Sequence, residues 1–178
     1  MDFKWAVLFD LDQTLVLTAD IEHLRRKRAW QEVYRSFSST SVPPGTQSFV
    51  KSVAKIARLG VITTSPRPYA EKLLSYHNLD IPVIIAYHDV VRRKPYPDSI
   101  VKASEYFDIL PGHTIYIGDL VDDILAASRA GAFPIGISWD GTLRYKATAS
   151  NAYALCDNWD EVDVAISKIM RERPLDVT

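Results

Sequence analysis

Cysteine is almost missing from this chain. Cys156 stands alone and can close no internal disulfide, which fits a reducing compartment. Long apolar runs are missing as well, and none approaches the ~20 residues a helix needs to cross a bilayer. There is no excess of charge of one sign: 21 Lys and Arg face 22 Asp and Glu. A net charge this close to zero gives no overall pull toward nucleic acid or membrane surfaces, although local patches remain possible, so a nucleic-acid partner is disfavoured and no membrane partner is expected. The four histidines, at 23, 77, 88 and 113, show no metal-ligand spacing. No internal repeat or low-complexity stretch occurs. The opening MDFKWAVLFD does not read as a signal peptide, because its apolar stretch is short and acidic residues follow where small cleavage-site residues belong. The expected location is therefore cytoplasmic.

What is present is a globular composition. The 178 residues are 47% hydrophobic, enough to bury the core of one domain spanning residues 1–178. Trp5 to Phe9 is a continuous apolar run, the mark of a strand buried on both faces. Asp20 to Phe37 carries Ile21, Leu24, Trp30, Val33, Tyr34 and Phe37 at roughly helical spacing, which predicts one long helix. A loop rich in turn formers, Ser38 to Gly45, follows. Further helices are expected at Gln47–Arg58 (stopped by Gly60), Tyr69–Tyr76, Asp98–Phe107, Asp122–Ala130 and Trp159–Met170. Further strands are expected at Val61–Thr63, Pro82–Ala86, Thr114–Ile117, Phe133–Ile137 and Ala152–Leu155. Short strands alternating with helices of about ten residues predict an α/β fold: a three-layer, doubly wound, Rossmann-like parallel sheet with helices on both faces. Such sheets bind ligands at the carboxyl ends of their strands, so reactive residues should cluster just after strands.

Four strand ends carry such residues. The first ends in Asp10-Leu11-Asp12-Gln13-Thr14. Two carboxylates beside a buried strand are costly unless a cation offsets them, although an acidic turn or helix cap accounts equally well for the pair by itself. The second ends in Thr63-Thr64-Ser65-Pro66-Arg67, whose hydroxyls and backbone amides suit phosphate oxygens or, equally, a helix N-cap. After the third comes Lys94-Pro95, a lysine on a proline-stiffened turn that can act as a point charge on phosphate. The fourth ends in Gly118-Asp119-Leu120-Val121-Asp122-Asp123, where helix-dipole and capping arguments explain one acid but not three.

In this order the four segments resemble the haloacid dehalogenase-like superfamily, whose pattern is strand–DxDxT, strand–Thr/Ser, Lys-Pro and GDxxxD. The resemblance runs from about Trp5 to Gly141. It implies a Mg2+-dependent phosphomonoester hydrolase in which Asp10 attacks phosphorus to form an aspartyl-phosphate, and Asp12 is the general acid and base. Thr63 and Lys94 complete the catalytic set. Thr63, Thr64, Lys94 and Arg67 are the implied phosphate and substrate contacts. Asp10, Asp12 (through its backbone carbonyl), Asp119 and Asp123 are the implied metal site, with Asp123 favoured over Asp122 by the family's spacing. Relatives that cleave carbon–halogen bonds lack an acid at the position of Asp12, so its presence favours phosphate chemistry.

Between the first and second motifs, residues 16–43 form a short insert, implied to be a reduced helical cap. A phosphorylated small molecule is the expected substrate, while an open site also suits a bulky phosphorylated substrate or a site completed by another subunit. The block Arg25-Arg26-Lys27-Arg28 on this insert could steer an anionic substrate, but the solvated face of an amphipathic helix is the simpler account. A phosphomutase is the closest rival, disfavoured by the small cap. A receiver-like signalling module would lack the acid two residues after the nucleophile.

Overall fold

The structure is a computed structural model, described here for residues 3–140 and 151–173. Gly141, where the family resemblance ends, lies outside the described residues.

Six strands form one sheet: β1 (Ala6–Phe9), β2 (Arg58–Ile62), β3 (Val83–Ile85), β4 (Thr114–Gly118), β5 (Phe133–Ile137) and β6 (Ala154–Cys156). Every pairing is parallel, and the order is β3-β2-β1-β4-β5-β6. The chain winds outward from β1 to β3, then returns to β4 on the other side of β1. The winding direction therefore reverses between β1 and β4, and the carboxyl ends of these two strands flank the crevice such a reversal opens.

The apolar runs are continuous because both faces of the sheet are covered. Val7, Phe9, Ile115 and Ile117 point into one core with α3 (Thr46–Val53), α4 (Arg67–Tyr76) and α7 (Trp159–Glu172). Leu8, Ile62 and Tyr116 point into the other, against α5 (Asp98–Phe107) and α6 (Val121–Ala130). Leu8, Phe9, Ile115 and Ile117 are wholly buried, each contributing roughly 1.5–3 kcal/mol of burial free energy. Phe49 stacks on Trp159 with ring centres 4.4 Å apart, fastening α3 to α7.

Two expectations are corrected. Gly60 does not stop a helix: α3 ends at Val53, and Gly60 sits inside β2. A Cβ there would lie 2.9 Å from Cδ2 of Leu8 on the neighbouring strand, so the glycine gives the Leu8 side chain room in the sheet and does not serve a turn. The single helix expected from Asp20 to Phe37 is broken into α1 (Glu22–Arg26) and α2 (Trp30–Arg35), flanked by 3-10 turns at Ala19–Ile21 and Phe37–Ser39. Arg28 has φ 55°, outside helical space, and bends the chain between the two pieces. The apolar residues keep their helical spacing within each piece, which is why the pattern read as continuous. Leu17 and Ser41 pair across the base of this excursion, so the chain leaves and re-enters the body at one point.

Candidate active site

The carboxyl ends of β1, β2, β3 and β4 each deliver one part of the site. Asp10 directly follows β1, and its backbone N–H bonds to Ile117 O (2.8 Å) on β4, which ties the first acidic strand end to the fourth. Asp119 follows β4. Asp123 lies on the first turn of α6, where its Oδ2 accepts from the Leu120 N–H (3.0 Å) and caps the helix. Carboxylate oxygens of Asp10, Asp119 and Asp123 all lie within 4.8 Å of one another. Gly118 makes this possible: a Cβ at that position would fall 2.4 Å from Cγ of Asp123. The helical turn separates the adjacent acids: Asp123 is fully buried beneath Gly118, while Asp122 is exposed at the cavity mouth.

Lys94 sits among these acids. Its Nζ donates to Asp10 Oδ1 (2.5 Å), Asp123 Oδ1 (2.5 Å) and the Tyr116 hydroxyl (3.0 Å). Only 5% of its side chain is exposed, so these bonds are poorly screened by water. Tyr116 in turn donates to Asp123 Oδ1 (3.0 Å), and Thr14 donates to Asp119 Oδ1 (3.1 Å). Thr63 is buried; its Oγ1 accepts from the Ser65 N–H (3.0 Å), which shapes the loop after β2.

The charge balance of the cluster is unfavourable as it stands. Three carboxylates face one ammonium. Burial, then repulsion from Asp123, pushes the Asp119 carboxyl up to about 7. Burial likewise raises Asp10 well above the ordinary carboxylate range; Lys94 works against that rise, and Asp123, Asp119 and Asp12 add to it. Burial opposes charge on Lys94, but the attraction of Asp10 and Asp123 outweighs it and holds the lysine well above its ordinary value. A surplus of buried negative charge, all on hard oxygen donors, is what a divalent cation such as Mg2+ would offset.

Asp12 turns the other way. Its Oδ1 accepts from the hydroxyls of Tyr69 (2.6 Å) and Thr18 (2.9 Å), and its Oδ2 from Arg25 (2.6 Å) and Ser65 Oγ (3.1 Å). Arg25 also reaches Thr18 and Ser65 (both 3.1 Å). Asp10, Asp12, Thr63, Thr64, Lys94 and Asp119 all border one cavity of about 390 Å³.

Arg67 borders a different depression, against Glu71 and Leu74. It donates to Ile84 O (2.7 Å) and Asp89 Oδ2 (2.6 Å), and so braces the chain between α4 and β3 instead of facing the acids. Three participants escaped sequence reasoning. Tyr69 and Tyr116 occupy positions that periodicity assigns to the core, and nothing in the sequence marks their hydroxyls. Arg25 was visible only as part of a basic block. Trp139 packs on Trp159 with ring centres 5.1 Å apart and donates Nε1–H to Gln13 O (2.9 Å), pinning the turn after Asp12.

Fold and site together define a doubly wound α/β protein with a candidate cation centre at its switch point. Residues 19–137 match the family described as haloacid dehalogenase-like hydrolase, and the chain belongs to that family. A phosphoglycolate phosphatase of Photorhabdus laumondii is 27% identical over 143 residues, covering 74% of this chain and 60% of that protein. The pyrophosphatase PpaX of Bacillus mycoides is 34% identical over 92 residues, covering 51% of this chain and 42% of its own length. The chain thus spans at most 60% of the length of these two relatives. Among solved structures, CbbY from Rhodobacter sphaeroides in complex with phosphate matches with TM-score 0.76 at 21% identity, over 91% of this chain and 98% of that one. A putative beta-phosphoglucomutase from Thermotoga maritima matches with TM-score 0.75 at 21% identity, over 90% and 97%. At these identities the structural matches establish the fold. No helix among the described residues is long and apolar enough to cross a membrane.

Proposed function

We propose that this protein is a Mg2+-dependent phosphatase that hydrolyses a phosphomonoester through an aspartyl-phosphate on Asp10. The observation that carries this reading is the convergence of Asp10, Asp119 and Asp123 within 4.8 Å, in contact with Lys94 and beside Thr63. Acids from two strand tips and a helix, all buried or half-buried, are costly without a cation, and a cation held there would attract an anionic substrate. The relatives named phosphoglycolate phosphatase and pyrophosphatase support the phosphate chemistry, and a phosphorylated small molecule as substrate.

In this reading Asp10, Asp119 and the backbone carbonyl of Asp12 would hold the metal, with Asp123 beside them. Bound there, Mg2+ would neutralise phosphoryl oxygens and help hold the phosphate in line with Asp10. An Asp10 oxygen attacks phosphorus, and the ester P–O bond breaks. Asp12 supplies the proton that the leaving alkoxide takes up. Water then attacks the aspartyl-phosphate, Asp12 takes its proton, and inorganic phosphate leaves with Asp10 restored. For either transfer, one of the four donors now on Asp12 has to give way. Lys94 and Thr63 bind oxygens of the transferring group. Residues 16–43 form a reduced cap, whose base is closed by the pairing of Leu17 with Ser41.

The test is release of inorganic phosphate from a panel of phosphomonoesters with Mg2+, with EDTA, and with Asp10→Asn. Activity that depends on the metal and vanishes in the variant is expected. Phosphate release that persists in Asp10→Asn would overturn the assignment.

A further inference from the structure

A second depression of about 550 Å³ adjoins the carboxylate cavity. The two share Glu22, Arg25 and Thr64, so they lie side by side with the side chain that holds Asp12 between them. Arg25, Arg26 and Arg28 line the second depression together with Trp30, Tyr87 and His88. Three guanidinium groups face a single lining carboxylate, Glu22, and that acid is already spent on Arg26 at 2.5 Å. The Arg28 side chain is exposed, and its guanidinium has no ion-pair or hydrogen-bond partner among the described residues. Arg25 donates three bonds through its terminal nitrogens, yet its Nε is buried without an acceptor among the described residues. A buried donor left unpaired is costly, so Arg25 is held in this position at some expense.

The same groove offers rings. Trp30 and Tyr87 are both half-buried, Trp30 leaning on Tyr69 and Tyr87 backed by the Arg93 guanidinium 3.6 Å from its ring centre. Rings braced in this way make a stacking surface with little freedom to lose on binding. A glycolate-sized leaving group fits within the first cavity and would leave both cations and rings unused. A neutral sugar offers the guanidinium groups no anion. A nucleotide offers a planar base for the rings and further phosphate oxygens for the arginines.

We infer that this groove receives the leaving group, and that the leaving group is a nucleotide, so the substrate is a nucleoside bisphosphate or a phosphomonoester of the same chemistry at an oligonucleotide end. The inference rests on Asp10 being the phosphoryl acceptor. Its test therefore has one arm that needs turnover and one that does not.

In the first arm, the full chain with Mg2+ is assayed on adenosine 3′,5′-bisphosphate, a short 5′-phosphorylated oligonucleotide, phosphoglycolate and p-nitrophenyl phosphate. The expected kcat/KM for the bisphosphate is at least tenfold above those for phosphoglycolate and p-nitrophenyl phosphate. A still higher value for the oligonucleotide would assign the same chemistry to a nucleic-acid end. Arg28→Gly removes a guanidinium at a residue whose φ of 55° suits glycine, so no backbone strain accompanies the loss. In this variant kcat/KM for the bisphosphate should fall at least fivefold more than that for p-nitrophenyl phosphate, with the difference in KM. In the second arm, calorimetry on Asp10→Asn should show the bisphosphate binding at least tenfold more tightly than inorganic phosphate, and Arg28→Gly should remove most of that margin. Equal use of all the substrates, or bisphosphate affinity unchanged in Arg28→Gly, would overturn the inference. If no ester is turned over, the proposed reaction fails, while the binding arm still decides what the groove takes.

Discussion

Replacing Lys94 with methionine would expose how the acid cluster is held together. Methionine has nearly the same length and shape but no charge. In the wild type, the ammonium lies 2.5 Å from both Asp10 Oδ1 and Asp123 Oδ1, with the three side chains only 5%, 8% and 0% exposed. At an effective dielectric constant of about 20, each contact is worth about 4 kcal/mol or more, so the two together give roughly 8. Removing the lysine from water costs several kcal/mol in return, leaving a net loss of about 3–5 kcal/mol when the pairing is broken. Set against a typical domain stability of about 5–15 kcal/mol, this makes the variant marginal without metal. Urea unfolding in EDTA would be followed for wild type, Lys94→Met, Asp123→Asn and the double variant. We expect the double variant to be less destabilised than the sum of the singles by at least about 2 kcal/mol, since the second change removes a charge the first left uncompensated. Millimolar Mg2+ should stabilise Lys94→Met more than wild type, because the cation replaces part of the missing charge. A Lys94→Met protein within about 0.5 kcal/mol of wild type in EDTA, or a strictly additive cycle, would refute the reasoning.

Other perturbations follow from the same geometry. Asp10→Asn should lower phosphate release by about three orders of magnitude or more while leaving the circular dichroism spectrum unchanged, checked by phosphate assay alongside the spectrum. Gly118→Ala should displace the Asp123 carboxylate, whose Cγ lies 2.4 Å from the added carbon. We expect a loss of about 1–3 kcal/mol in urea unfolding and weaker Mg2+ binding by calorimetry. Asp89 accepts from the Ala86 N–H (2.7 Å) and from Arg67 (2.6 Å), and although burial opposes its charge, these donors hold its carboxyl below the ordinary value. A depressed carboxyl stabilises the fold above its unfolded pKa of about 3.9 and loses that effect as pH falls through the folded value. Asp89→Asn should therefore cost about 1 kcal/mol at pH 7, and the gap to wild type should close below about pH 4, measured by urea unfolding at both pH values.

Much of the molecule follows from one-dimensional pattern. Apolar runs marked the strands, because a parallel sheet covered on both faces leaves no polar side to alternate with. The positions of Asp10, Thr63, Lys94 and Asp119 after those runs placed them at one edge, since parallel strands all end on the same side. Periodicity could not place the side chains that meet only when distant segments fold together. Lys94 contacts an acid 84 residues away, and Thr14 one 105 residues away. Packing alone decided that Asp123 turns under Gly118 while its neighbour faces out, and that Gly60 makes room for Leu8. Packing also turned Arg25 inward onto Asp12 while Arg26, next along the chain, stays in water with Glu22. Adjacent residues on a helix point about 100° apart, so a sequence shows that a charge is present but only the tertiary structure shows which charge faces the chemistry.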